Sequence, residues 1–308
     1  MKQTSLGRRI INARGLFFLL IVPVAYVVIF NYIPMYGVIM AFKDFSPKKG
    51  IWGSDWVGLY NFSRFFTSPN FWIILRNTVV VGLYGLVTGF PFPIILAIFV
   101  NHCFLTRFKK VVQSITFAPY FFSAVILVGL ITQILGTSAG GLNLLLKNFG
   151  VEPINFLGSA AIYPHLNVWS GVWQHTGYGA IIYISALAAV DPTLHEVAMI
   201  DGANLWQRVI HIDMATIRPI VVIMLILAMG NIMTRLSFEK AFLLQNPLNI
   251  SWSEIISTYV YKVGLGIGGN RADYSFGTAI GLFQNVVGVI LTLTVNKVAN
   301  MISGEGLF

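Results

Sequence analysis

The run 77-NTVVVGLYGLVTGFPFPIILAIFVNHCFLT-106 contains no Lys, Arg, Asp or Glu. A helix needs about 20 mostly apolar residues to cross a hydrocarbon core of about 30 Å, so this stretch has room for one crossing. Five other runs are equally free of charge: Gly15–Phe42, Val111–Leu146, Ile154–Val190, Pro219–Thr234 and Tyr274–Asn296. The fifth in chain order, Pro219–Thr234, is short, and its helix is expected to extend past Arg218 or Arg235, whose long side chains can snorkel. Ala241–Ser253 is too short to span and is broken by Asn246-Pro247, so it reads as re-entrant or interfacial on the outer side. The pattern predicts an all-α polytopic membrane protein with six transmembrane helices.

Composition points the same way. Of 308 residues, 56% are hydrophobic and 10% charged, against roughly 25% charged in an average soluble domain. Mean hydropathy is +0.76. A soluble enzyme, a disordered chain and a nucleic-acid-binding domain are excluded as readings. The net charge of +9 suits loops held beside anionic lipid rather than a nucleic-acid surface. A single cysteine, Cys103, excludes an internal disulfide and any CxxC pair. The first apolar run is too long for a signal-peptide core and lacks a small-residue cleavage site, so it reads as a retained helix. Its Pro23 and Pro34 are tolerable where neighbouring helices re-satisfy freed carbonyls.

The bases divide almost evenly between the two sides, but their placement is uneven. Lys2, Arg8, Arg9 and Arg14 precede the first span without an acid, and Arg107, Lys109 and Lys110 crowd one short loop. Both termini are therefore expected in the cytoplasm. The chain divides into a basic tail (1–14), a first helix with an aromatic-rich outer interfacial loop (15–70), a membrane core (71–300) and a short cytoplasmic tail (301–308).

The most informative loop is 191-DPTLHEVAMIDGANLWQRVIHIDMATIRP-219. Asp191-Pro192-Thr193 is a helix start, with an Asp cap and Pro preorganised in the first turn. Leu194, Val197, Ala198 and Ile200 are expected to face the membrane domain from a short amphipathic helix. Gly202 supplies a turn. A second helix carries Leu205, Trp206, Val209 and Ile212, and Pro219 is expected to open the next span. Two short helices joined at a glycine under a membrane bundle make a docking surface; an ordinary solvated connector is the plainer alternative.

Glu196-Val197-Ala198-Met199-Ile200-Asp201-Gly202-Ala203, followed by Gln207 and Pro219, resembles the EAA motif of ABC importer permeases. Val197 stands where a first Ala is usual, and Ala215 where a Pro is common. The resemblance continues through Asn31-Tyr32-Ile33-Pro34-Met35-Tyr36-Gly37, Ala41–Phe45, Trp56-Val57-Gly58-Leu59, Phe117–Ser123, Asn246-Pro247 and Ser257–Tyr261. These segments look like the polysaccharide-uptake, LplB-like branch of type I carbohydrate importers, with the MetI-like permease architecture. The resemblance implies a coupling loop at 191–218, with Glu196, Ala198, Asp201, Gly202, Ala203 and Gln207 contacting a cytoplasmic ABC ATPase dimer. It also implies a second homologous permease, an extracytoplasmic solute-binding protein, and oligosaccharide or polysaccharide cargo, alginate or another uronate glycan being the nearest expectation. The location implied is the bacterial inner membrane.

The chain has no phosphate loop of the GxxxxGK[ST] type. No cofactor is expected on it, and ATP with Mg is expected on the partner ATPase, so the chain reads as a transport subunit and not an enzyme. The main alternative is an ion-driven secondary sugar transporter, which places ionisable groups at mid-membrane. Here His102, His165 and His175 fall at or near the ends of the spans. An intramembrane hydrolase lacks its usual HExxH or Gly-x-Ser-x-Gly signature.

Sugars bind through an apolar ring face and a polar rim, so aromatic and amide side chains within spans are candidates for the path. They are Trp173, Gln174 and Tyr183 in the fourth span, Asn231 and Arg235 at the fifth, and Gln284 and Asn285 in the sixth. The alternative for Asn231, Gln284 and Asn285 is that they pin helices together. Arg235, Lys240 and Lys262 flank outer ends, either attracting an anionic glycan or anchoring at the interface.

Overall fold

The computed structural model describes residues 14–234, 236–268, 271–304 and 306. The chain is mostly helical. In chain order α1 is Arg14–Val27, α2 Tyr60–Phe66, α3 Phe71–Gly89, α4 Pro91–His102, α5 Thr106–Phe117 and α6 Ala124–Leu135. There follow α7 Gly141–Asn148, α8 Tyr163–Leu187, α9 Pro192–Ile200, α10 Leu205–Arg208, α11 Met214–Gly230, α12 Phe238–Leu244, α13 Ile256–Leu265 and α14 Tyr274–Ser303. Two short strands, β1 Lys43–Asp44 and β2 Asp55–Trp56, pair antiparallel.

Four helical stretches are long and apolar enough to cross a membrane: Arg14–Phe42, Phe71–His102, Leu205–Gly230 and Tyr274–Ile302. The number rises to six if each of two bent pairs is one span. One pair, Thr106–Phe121 with Ala124–Leu135, turns through 102°. A 3-10 turn containing Pro119 ends its first arm, and Ser123 caps the second by accepting from the Ile126 N–H. The other pair is α8 with α9, bent by 74°. At 25 residues α8 alone is about 37 Å long, enough to cross.

The second and fifth spans depart from the charge-free runs. The second span starts at Phe71 and takes in Arg76, whose guanidinium lies over the Trp252 ring at 4.3 Å and donates to the Ser251 carbonyl. The fifth does not open at Pro219. Helix continues from Leu205 through a π-helical turn, Val209–Asp213, into α11, and Pro219 lies inside it. Its ring removes the partner of the Ala215 carbonyl, a loss that membrane helices tolerate through their neighbours. The 241–253 stretch is helical in part, and Ala241 and Leu244 of α12 are buried.

Two compact units are present. The first covers the chain up to Thr67 together with Lys262–Leu282. Within it Asn61 is buried and donates its amide to the Ala41 and Lys43 carbonyls, fixing α2 beneath the strand pair. Arg64 bridges Asp273 at 2.6 Å and lies over the Phe276 ring. Trp52, Trp56 and Tyr60 stand exposed, as interfacial anchors require.

The second unit covers Ser68–Tyr261 and Phe283–Phe308, and is built round α8, which packs on α3, α4, α5 and α11. Three apolar clusters are found in it among the described residues, a small one of Val128, Tyr163 and Leu244 and two larger ones. Val81, Val168, Val172, Leu236, Ala241 and Ile255 form one; Ile94, Ala97, Ala180, Tyr183, Leu187 and Ile217 form the other. A buried amide adds direction: Asn77 donates to the Ser251 and Glu254 carbonyls, tying α3 to the segment before α13.

Candidate functional site

The second unit carries two regions with chemistry. The first is the loop between α8 and α11. Asp191 accepts from the Thr193 N–H at 2.9 Å, so α9 starts where the cap predicts. That bond, and then the Thr193 hydroxyl, hold the Asp191 carboxyl below its ordinary value. The chain leaves α9 at Asp201, and Gly202 turns it with φ +80°, a conformation that costs a side-chain-bearing residue about 1–2 kcal/mol.

α10 then begins with a reciprocal cap absent from the sequence reading. The Gln207 N–H donates to Asn204 Oδ1 at 2.9 Å, and the Asn204 N–H donates to Gln207 Oε1 at 2.8 Å. Asn204 followed three residues later by Gln207 was the available signal. Ala198, Asp201, Gly202, Ala203 and Gln207 line one depression of about 330 Å³, with Arg208 and His211 on its wall. Glu196 lies outside it, exposed on α9.

The apolar side chains of this loop do not pack as expected. Leu194, Val197 and Met199 are exposed, Ile200 is 85% exposed and Trp206 70% exposed. No residue of α9 is buried. Val209 is buried, and Ile212 partly so. The stripe on α9 therefore lacks a covering surface within this unit. Covering one Leu or Ile fully is worth about 1.5–3 kcal/mol, so the bare stripe is suited to a partner.

The second region is a cavity of about 360 Å³ between α3, α4, α8, α11 and α12. It brings together Gln174 and Tyr183 of the candidate path with Asn167, His175 and Lys240. Gln174 donates to the Phe122 carbonyl at 2.8 Å. Lys240 is not an interfacial anchor: it is 6% exposed, because α12 folds against α8 and carries it inward. Its ammonium donates to the Asn167 carbonyl at 2.7 Å and to Ser170 Oγ at 3.5 Å, and among the described residues it has no carboxylate partner. Burial pushes it down to about 8.

The remaining candidates do not line this cavity. Trp173 is half exposed, in contact with the Phe122 ring. Asn231 is exposed and donates to the Leu227 carbonyl of its own helix. Gln284 is buried and donates to the Met233 carbonyl at 2.6 Å, which is a pin between segments. Asn285 is exposed, and Arg235 lies outside the described residues.

A helical unit with bent spans, an exposed glycine-turned loop and a largely apolar cavity holding a few polar groups suits a transport permease. No family model matches the chain. It is 38% identical over 307 residues to the polygalacturonan/rhamnogalacturonan transport system permease protein YteP of Bacillus subtilis (strain 168), covering 100% of this chain and 94% of that one. It is 39% identical over 295 residues to the same organism's protein LplB, covering 96% and 91%. Among solved structures, a bacterial ABC transporter involved in the import of the acidic polysaccharide alginate matches with a TM-score of 0.86 at 31% identity, over 97% of this chain and 100% of the other. The alginate transporter in complex with an alginate pentasaccharide-bound periplasmic protein matches with 0.87 at 30% identity, over 99% and 100%. The chain belongs to the permease subunits of carbohydrate ABC importers. It is the multi-pass membrane subunit and not the ATPase.

Proposed function

We propose that this permease imports acidic oligosaccharides or polysaccharide fragments handed over by an extracytoplasmic binding protein. A second, homologous permease completes the pathway in the bacterial inner membrane, with both termini of this chain in the cytoplasm. α9 and the Asp201-Gly202 turn dock on a cytoplasmic ABC ATPase, which holds ATP and Mg. Glu196, Ala198, Ala203 and Gln207 shape that contact. Gln174 and Tyr183, with Lys240, line the cargo route at the cavity, and Trp173, Asn231, Arg235 and Asn285 extend it.

The observation that carries the acidic cargo is Lys240. An ammonium buried without a counter-charge is costly, and within a membrane bundle such a group marks a transport path. A uronate carboxylate is the counter-ion that fits. The similar proteins named for polygalacturonan and alginate transport support the same class.

The test is ATP hydrolysis by the transporter in vesicles with its binding protein. Oligogalacturonate and its carboxyl-reduced, neutral counterpart are compared. Stimulation about tenfold stronger with the acid, and lost in Lys240→Met, is expected. Equal stimulation by the two sugars contradicts an acidic cargo.

A further inference from the structure

Asp213 is completely buried, in the π-helical turn that joins the docking loop to α11. A carboxylate held away from water needs partners. It has two, one from each of two helices. His102, the last residue of α4, places Nε2 2.6 Å from Asp213 Oδ2. His195 of α9 places Nε2 3.4 Å from Asp213 Oδ1. The imidazoles stand edge to face, with centroids 5.7 Å apart.

The two contacts are unequal. The first is a short hydrogen bond between His102 Nε2 and Asp213 Oδ2. The second, at 3.4 Å, forms no hydrogen bond. Among the described residues, Asp213 Oδ1 and His195 Nδ1 are both buried without a hydrogen-bond partner. Buried groups of this kind are rare and call for an explanation. α9 has no buried residue of its own, so His195 is the polar side chain by which the docking helix reaches the interior. One carboxylate thus meets the docking helix, the end of α4 and the base of α11.

We infer that His102–Asp213–His195 is a latch that transmits movement of α9 to the two spans, closed on His102 and open on His195 in this conformation. Closing the second contact needs a shift of about 0.5 Å for Nε2–H to donate to Oδ1 at ordinary distance. Asp213 and His195 are positioning residues for coupling and touch neither cargo nor nucleotide. The inference rests on the reading of α9 as the ATPase-docking helix.

The test uses the whole reconstituted transporter and the variants Asp213→Asn, His195→Gln, His102→Gln and His102→Gln/His195→Gln. Four readouts are taken: ATPase pull-down, unstimulated hydrolysis, glycan-stimulated hydrolysis and glycan moved per ATP. Pull-down and unstimulated hydrolysis are expected within about twofold of the parent, while stimulation and glycan per ATP fall about tenfold. The double variant is expected to be no worse than either single, because all act through one carboxylate. Stimulation near the parent's, multiplicative losses in the double variant, or pull-down falling in step with stimulation would each overturn the latch. Where Asp213→Asn does not assemble, the histidine cycle alone decides. Failure of the docking reading is distinguishable, because Gly202→Pro then couples like the parent whatever the latch variants do.

Discussion

Gly177 of α8 rests directly on the Thr116 carbonyl of α5. A Cβ at residue 177 would overlap that carbonyl and lie 2.8 Å from Phe117 N. Backbone cannot give way as a flexible side chain can, so the two helices approach this closely only through a glycine. Gly177→Ala is therefore expected to destabilise the membrane domain by about 2–3 kcal/mol, as overpacking does. Thermal unfolding in detergent checks it. An unchanged midpoint would show that α5 and α8 do not meet this way.

Of the two roles open to Gln284, its hydrogen bond fits the pin between segments. Its amide donates to the buried Met233 carbonyl at 2.6 Å. Gln284→Leu leaves that acceptor unsatisfied, at about 1–3 kcal/mol. The expected result is a lower unfolding midpoint with the preference between acidic and neutral glycans unchanged. A changed preference with unchanged stability would put Gln284 back on the path.

Asp191 caps α9 through the Thr193 N–H, and its pKa is depressed from 3.8 for that reason. A depressed carboxyl contributes stability above its ordinary value, and that contribution is lost as pH falls through the lowered one. Amide exchange over residues 193–200, corrected for intrinsic rates, is expected to rise in Asp191→Ala and not in Asp191→Asn, since Asn is an equally good cap. In the parent, the cap should weaken only in acid below about 3.8. Identical exchange in the Ala variant would remove Asp191 from that role.

The helical class and most of the spans are legible in the charge-free runs, because the bilayer imposes length and polarity on each segment separately. Asp191 and Gly202 are equally local and are found where the pattern places them. What is not legible depends on distant partners. Lys240 reads as an interfacial base until α12 folds onto α8 and buries it. Asp213 reads as one more loop acid until His102, 111 residues away, closes on it. Leu194, Val197 and Ile200 have the periodicity of a packed stripe, and periodicity does not say whether the covering surface belongs to the same chain. Pro219 reads as a helix start because its conflict with a helix interior is local, while its tolerance is supplied by neighbours.

The α9–Gly202 turn is the element proposed to couple this permease to its ATPase. Gly202 has φ +80°, which proline cannot adopt, and Asp201 is exposed beside it. The most direct measurement is glycan-stimulated ATP hydrolysis in vesicles for Gly202→Pro and Asp201→Lys, with ATPase pull-down and the unfolding midpoint measured alongside. Stimulation is expected to fall by about tenfold or more in both variants while the membrane domain keeps its midpoint, the charge reversal costing about 1–3 kcal/mol at a partly desolvated contact. Both variants assembling with the ATPase and coupling like the parent would contradict the claim.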